Sequence, residues 1–337
     1  MDRRYHSKDD KRKLYRKLGI LAIALVVIGV LAGLLYKLMD DQQAFAEDEL
    51  DYGDAINVVE IGGEKYRPKT RIKTYLFMGV DAVGKAEAME EYDGTGQCDV
   101  LEVVVVDQNA DTYAVLPINR DTITTVKSLE IDGTYIASSD VQIALAHANG
   151  DGMETSCENT VDAVSNYLYG QKIDGYLALN MDAIPVINHL AGGVTVTIED
   201  DFSESDPTMK KGETITLTDE QAMHYVHDRM NVADGTNENR MKRQSVYMEE
   251  IEKIYRKKAS QNEKFVMDVY DALGDYMVTS LTKKDCSKLA KAMMRNESLG
   301  ELTIEGEVST DYLGYKQFIP DKESLEEVII RLFYDKV

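Results

Sequence analysis

Basic side chains are scarce: the 337 residues hold 38 Lys/Arg against 60 Asp/Glu, for a formal net charge of −22. So acidic a surface repels anionic polymers at long range, which argues against nucleic acid as a partner. Any anionic ligand must be held locally, by arginines or by a cation. Cysteine is also rare. Cys98, Cys157 and Cys286 are an odd number, too few for a disulfide framework, and neither C-x-x-C nor zinc-finger spacing occurs. A single Cys98–Cys157 bridge stays open for a domain outside the cell. Missing too are a Walker or G-x-G-x-x-G phosphate loop and a G-x-S-x-G nucleophile turn, which removes the support for a P-loop or dinucleotide enzyme and for a serine hydrolase. With only five prolines, no internal repeat and no low-complexity linker, one large domain is expected rather than two.

The first segment sets the topology. Residues 1–18 carry eight Lys/Arg against three Asp, and Gly19 to Tyr36 then runs 18 residues without a charge. At about 1.5 Å per helical residue this nearly spans a hydrocarbon core of roughly 30 Å, so residues 19–38 are expected to form a transmembrane helix. The chain beyond turns acidic, and the positive-inside rule puts residues 1–18 in the cytoplasm and the rest outside. Ala44-Phe-Ala46 resembles a signal-peptide cleavage site, but the apolar run exceeds the usual signal core of about 7 to 15 residues, so a retained anchor is the expectation. Residues 39–69 read as a stalk and lead-in strand, and 70–337 as one extracellular α/β domain.

Within that domain the apolar run Thr74-Tyr-Leu-Phe-Met-Gly-Val-Asp81 predicts a strand. Val100 to Val106 and Thr112 to Pro117, separated by five turn-forming residues, predict an antiparallel hairpin. Near-continuous hydrophobicity in its first strand implies a mixed central sheet covered by helices on both faces. Helices are expected at 143–147, 157–169, 180–190 with Asn180 as cap, 218–229 behind a Thr218/Gln221 capping box, 238–258, 262–280, 283–296 and 321–334. Strands are expected at 194–198 and 301–308.

Against the acidic background the arginines stand out. Leu116-Pro-Ile-Asn-Arg-Asp-Thr122 ends a strand pattern with Arg120 and Asp121 side by side, and Asn239-Arg-Met-Lys-Arg-Gln244 opens the long helix. Arg240, Arg243 and Gln244 share a face of its first turns, where exposed N–H groups favour an anion. Arg229 ends the preceding helix. The planar guanidinium fork suits phosphate oxygens. Asp81 and Asp99 lie at the end of one strand and the start of another, and two such carboxylates suit Mg²⁺, with Mn²⁺ as a substitute, shared with substrate phosphates. Singly, each of these is a turn ion pair, a solvated helix face or a strand-end residue. His224 and His227, three apart on one helix, lack an obvious third ligand for zinc.

In this order the segments resemble the LytR-CpsA-Psr (LCP) family of Gram-positive envelope proteins. Tyr75 to Asp81 looks like its opening strand, and Leu116-Pro-Ile-Asn-Arg-Asp-Thr122 like its Ile-Pro-Arg-Asp-Thr signature. Similarity extends through Ala144 to Ala148, Asn188 to Val196, Leu217 to Arg229 and Asn239 to Gln244, covering about residues 70–255. Gln97 stands where the family commonly has a diphosphate-binding arginine, His227 replaces the first arginine of an Arg-x-Arg pair, and Asn119 replaces a proline.

The resemblance implies a membrane-anchored phosphotransferase that moves an anionic or capsular glycopolymer from an undecaprenyl-diphosphate carrier to peptidoglycan. It further implies Arg120, Arg229, Arg240, Arg243, Gln244 and Gln97 on the diphosphate, Arg120 and Asp121 in catalysis, and Asp81 and Asp99 on Mg²⁺. Diphosphate hydrolysis and non-catalytic lipid-diphosphate binding are the competing expectations.

Overall fold

The computed structural model describes residues 58–61, 63–92, 95–228, 232, 237–262, 264–312 and 314–337. The expected cytoplasmic tail, the membrane-spanning helix over 19–38 and the stalk up to residue 57 lie outside the described residues. Among the described residues no helix is long and apolar enough to cross a membrane.

The chain begins with β1 (Val59–Ile61), β2 (Glu64–Pro68), β3 (Ile72–Val80), β4 (Cys98–Asp107) and β5 (Thr112–Pro117). Next come β6 (Ile123–Leu129), β7 (Tyr135–Gln142), a 3-10 turn (Ile143–Ala146), α1 (Glu154–Tyr167), β8 (Gly175–Asn180) and α2 (Ala183–Ala191). The hairpin β9 (Thr195–Thr197) and β10 (Thr214–Thr216) precedes α3 (Asp219–His227), α4 (Asn237–Gln261) and α5 (Phe265–Leu273). The remainder is β11 (Met277–Thr279), α6 (Lys283–Arg295), β12 (Glu297–Glu301), β13 (Gly306–Thr310), β14 (Lys316–Pro320), α7 (Lys322–Phe333) and β15 (Tyr334–Lys336).

The central sheet has the order β11-β8-β3-β4-β5-β12. It is mixed: β3–β8 and β5–β12 run parallel, whereas β3–β4, β4–β5 and β8–β11 are antiparallel. The β4–β5 hairpin forms where the sequence predicts it, its turn fixed by Asp107, whose Oδ1 accepts from the Asn109 and Ala110 N–H groups at 3.0 Å. Side chains alternate across a strand, so β4 feeds two cores at once. Leu101, Val103 and Val105 pack with α1 and α7, and Val104 and Val106 with α2 to α6. Helices thus cover both faces. The Thr218 capping box is present, with Thr218 Oγ1 accepting from Gln221 N at 3.2 Å and Gln221 Oε1 from Thr218 N at 3.1 Å.

Several expectations are corrected. Asn180 caps no helix; it closes β8, whose Gly175–Leu179 stretch is buried in the middle of the sheet, and α2 starts at Ala183. Burial beside β3 overrides the local signal there. The expected helix over 262–280 ends at Leu273, because Met277–Thr279 pairs with β8 as an edge strand. The expected strand over 301–308 is divided between β12 and β13. All three cysteines are free and buried, so no Cys98–Cys157 bridge is formed.

Glu102 is the outlier of the core. It sits mid-strand on β4, in register with Phe77 and Pro117, fully buried, and neither carboxyl oxygen has a partner among the described residues. Burial, reinforced by nearby Glu301, pushes its carboxyl well above the usual range. The folded state therefore keeps a proton that the unfolded chain releases near its ordinary value of 4.5. The native state is favoured fully below that pH, and each unit above it, up to the raised folded value, removes roughly 1.4 kcal/mol from this group's contribution. Glu102→Met, which keeps the length and removes both unpaired oxygens, is expected to add about 1–3 kcal/mol at pH 7. It should also flatten the decline in stability with rising pH. Urea unfolding between pH 5 and 8 checks both, and equal slopes for the two proteins would reject the account.

Candidate active site

Asp81, Gln97, Asp99 and Arg120 lie at the same end of the central sheet. β3 runs out at Val80, and Asp81 stays tied to the lead-in of β4: its N–H donates to the Gln97 carbonyl at 2.8 Å and its carbonyl accepts from Gly96 N at 2.9 Å. Gly96 makes this closure with φ of +83°, a conformation glycine adopts without a Cβ penalty. Two residues past Gln97, Asp99 opens β4 beside Asp81. On the other flank, Ile118 continues the pairing of β5 through a 2.8 Å bond to the Leu101 carbonyl. The chain then turns over Asn119, which accepts from Asp121 N through Oδ1 and from Thr122 N through its carbonyl, both at 2.9 Å. The 3-10 turn braces the loop from below, with Ala144 N donating to the Arg120 carbonyl at 3.2 Å.

The Arg120 guanidinium consequently points back over the β4 entrance. It donates through Nη1 to Asp99 Oδ1 and through Nη2 to Gln97 Oε1 at 2.6 Å, while Nε lies 3.8 Å from Asp121 Oδ1. The same Asp121 oxygen accepts from Gln142 Nε2 at 3.0 Å. Burial pushes the Asp99 carboxyl above its usual range; the Arg120 and Arg240 guanidinium groups oppose this, and the negative charge of Asp81 adds to it. That balance places Arg240, from the first turn of α4, within electrostatic reach of Asp99. Asp81, Asp99 and Arg120 thus gather, and the charge of Arg240 reaches them, although they come from widely separated parts of the chain. The side chain of Arg120 is about a third exposed (32%), so the cluster is open to a ligand.

Arg243 does not join them. It is buried, donating through Nε to the Tyr225 carbonyl at 2.8 Å, through Nη1 to Asp200 Oδ2 at 2.6 Å and through Nη2 to the Asp228 carbonyl. Its guanidinium also lies 5.1 Å from the centre of the Phe202 ring. These contacts weld α3 to α4 and leave no donor pair aimed at the cluster, so the expectation that it binds diphosphate gives way to a structural role. Gln244 donates its amide to the Val226 carbonyl at 3.0 Å, a second stitch of the same joint. Arg229 lies outside the described residues. His224 and His227 both face Asp228, at 2.8 and 3.4 Å. Burial works against that carboxylate, but hydrogen bonds from Ser205 and His224 hold it below its usual range. Among the described residues no group of three His, Cys, Asp or Glu side chains gathers to hold a metal by itself.

The LytR_cpsA_psr family model matches residues 40–333. The chain belongs to the LytR-CpsA-Psr family. The chain is 25% identical over 315 residues to the polyisoprenyl-teichoic acid–peptidoglycan teichoic acid transferase TagU of Bacillus cereus, covering 92% of this chain and 93% of that one. It is also 25% identical over 330 residues to biofilm regulatory protein A of Streptococcus mutans, covering 95% of this chain and 75% of that protein. Among solved structures, Bacillus subtilis TagV superposes with a TM-score of 0.53 at 23% identity, over 78% of this chain and 96% of TagV. The protein gbs0355 of Streptococcus agalactiae gives 0.57 at 21% identity, over 78% of this chain and 87% of its own. The mixed sheet with its two helical layers is thus the LCP fold.

Sequence reasoning missed Gln142, whose amide holds Asp121. No short motif announces it; β7 delivers it across the hairpin opposite Ile123.

Proposed function

We propose that this LCP protein is a membrane-anchored phosphotransferase that moves an anionic or capsular glycopolymer from an undecaprenyl-diphosphate carrier to peptidoglycan. One observation carries the reading: in a strongly acidic chain, Arg120 pairs with Asp99 at an exposed end of the central sheet, and the charge of Arg240 reaches the same carboxylate. Two guanidinium groups whose charges act on one point suit a dianion, and a diphosphate presents one. The apolar segment over 19–38 supports a single-span anchor that would hold the domain against the outer leaflet, where such a carrier resides, and raise its effective concentration.

The donor set also suits a hard cation. Asp81 is exposed, Asp99 has one oxygen engaged by Arg120, and the negative charge of Asp81 acts on the Asp99 carboxyl. Asp81 and Asp99 would hold Mg²⁺ together with phosphate oxygens, and the ion would supply charge neutralisation there. Arg120 and Arg240 would bind the diphosphate and stabilise the charge that grows on it, which is the main route by which proteins accelerate phosphoryl transfer. An acceptor sugar hydroxyl would form a bond to the polymer-bearing phosphorus as the bond to the bridging oxygen breaks, releasing polyprenyl monophosphate and a proton. Asp121, engaged by Gln142 and adjacent to Arg120 Nε, is suited to orienting Arg120 rather than to taking that proton.

The test is reconstitution of the full-length protein in detergent with a lipid-diphosphate-linked glycopolymer and peptidoglycan oligomers. A polymer–peptidoglycan phosphodiester is the expected product. Release of polymer onto water alone would replace transfer with hydrolysis, and binding without turnover would leave a lipid-diphosphate receptor.

A further inference from the structure

A largely buried segment, residues 143–147, is bonded to both halves of the site. On the arginine half, Ile143 N donates to the Thr122 carbonyl at 2.8 Å and Ala144 N to the Arg120 carbonyl at 3.2 Å. On the carboxylate half a side chain makes the contact, with His147 Nδ1 2.9 Å from the Gly96 carbonyl. Gly96 has no side chain to anchor it, so hydrogen bonds set where its peptide lies. Its N–H binds the Asp81 carbonyl, and the next residue, Gln97, receives the Asp81 N–H. His147 therefore reaches Asp81 and Gln97 through one peptide, and Asp99 lies two residues further along.

The His147 ring is held in one form. It is 2% exposed, and burial pushes the imidazole below its usual range, with the Gly96 bond opposing this. A carbonyl can only accept, so Nδ1 of the neutral ring carries the proton and Nε2 is the acceptor. The Cys157 thiol of α1 faces that Nε2 at 3.6 Å. From the same helix, Asn159 Nδ2 donates to the Ala146 carbonyl at 2.8 Å and to the Lys127 carbonyl at 3.0 Å. α1 thus fixes the segment, and the segment fixes the two halves of the site relative to each other. We propose that His147 is a positioning residue for the cation site of Asp81 and Asp99: its Nδ1–H holds the Gly96 peptide and so sets both carboxylates against the Arg120 loop. The inference rests on the cation reading of the proposed function, but cation binding is measurable with no transfer taking place.

Mn²⁺ binding to the full-length protein in detergent, read from the electron paramagnetic resonance signal of the free ion, tests this without substrate. Asp81→Asn marks the level at which the site is lost. His147→Leu keeps apolar bulk, removes both ring nitrogens, and should weaken binding by about 10–100-fold, the usual cost of losing a group that orients a metal ligand. His147→Asn places an amide N–H where Nδ1 stands and should stay within a few-fold of the parent protein. His147→Gln carries its amide out to the Nε2 position, toward Cys157, and should bind as poorly as His147→Leu. Where His147→Leu does not fold, the Asn and Gln variants, alike in polarity, decide between them. A purely structural histidine would lower the melting temperature of the variants and leave the Mn²⁺ affinity of the folded protein unchanged. That result overturns the inference, and so does a parent protein that binds no Mn²⁺. Mn²⁺ binding kept by His147→Asn and lost by His147→Gln, in a protein that forms no coupled product, would uphold the positioning role and reject the transferase.

Discussion

Replacing Arg120 by alanine is expected to lower turnover of a lipid-diphosphate donor by about 10²–10³-fold while leaving the domain folded. The side chain is about one-third exposed, and its partners are polar groups at the site: Asp99, Gln97 and Asp121. Its removal therefore leaves no cavity in the core. It does leave the Asp99 carboxyl without its nearest cation, with burial and Asp81 both still acting to raise it. The variant should consequently lose the guanidinium that complements the diphosphate, while Asp99, holding its proton more tightly, becomes a poorer ligand for a cation. Arg120→Lys should not recover the activity, since an ammonium cannot span Asp99 and Gln97 while presenting a fork to phosphate. Turnover by the purified protein, read as release of polyprenyl phosphate, is the measurement; full activity in the alanine variant would remove Arg120 from the chemistry.

Arg120 and Asp81 are legible in the sequence because strand ends and their hydrophobic runs are local signals. The β4–β5 hairpin, with β-branched runs on either side of five turn residues, states its own pairing, and the doubly apolar β4 announces a sheet buried on both faces. What is not legible is set by contacts across the chain. Gly175–Asn180 is a strand because β3 and β11 lie on either side of it, and nothing in six residues encodes that. Glu102 is placed in the core by the alternation of β4, against its own polarity. The face of α4 is misread in part for a similar reason. Helical spacing puts Arg240, Arg243 and Gln244 on one broad side, but it cannot say where that side meets α3 and where it meets the sheet edge. A rotation of one residue position is about 100°, and three positions return to within about 60° of the start. That remaining angle separates a residue whose charge reaches Asp99 from one locked in a joint.

The departures from the LCP pattern gain a physical meaning from the same geometry. Gln97, standing where the family commonly has arginine, accepts a hydrogen bond from Arg120. An arginine there would repel Arg120; the amide instead fixes its direction, so this chain trades one cation for orientation of another. His227, in place of the first arginine of the pair, turns to Asp228, the residue that also receives His224 and Ser205.

Arg243 supplies the sharpest contrast with Arg120, because its loss should act on stability. Its side chain is only 5% exposed and its partner Asp200 15% exposed. Arg243→Met would leave the Asp200 carboxylate without its cation and the Tyr225 and Asp228 carbonyls without their donors. Removing one member of such a pair costs about 3–5 kcal/mol, a large part of the stability of an ordinary domain. Urea unfolding should show that loss, and Arg243→Met combined with Asp200→Leu should recover much of it, since the double change removes the stranded charge as well. At temperatures where the single variant remains folded, lipid-diphosphate binding should stay within a few-fold of the parent protein, whereas Arg120→Ala should show the opposite pairing of intact stability and lost turnover. Were Arg243→Met as stable as the parent and unable to bind the diphosphate, Arg243 would belong to the ligand site and the joint between α3 and α4 would have to be held by something else.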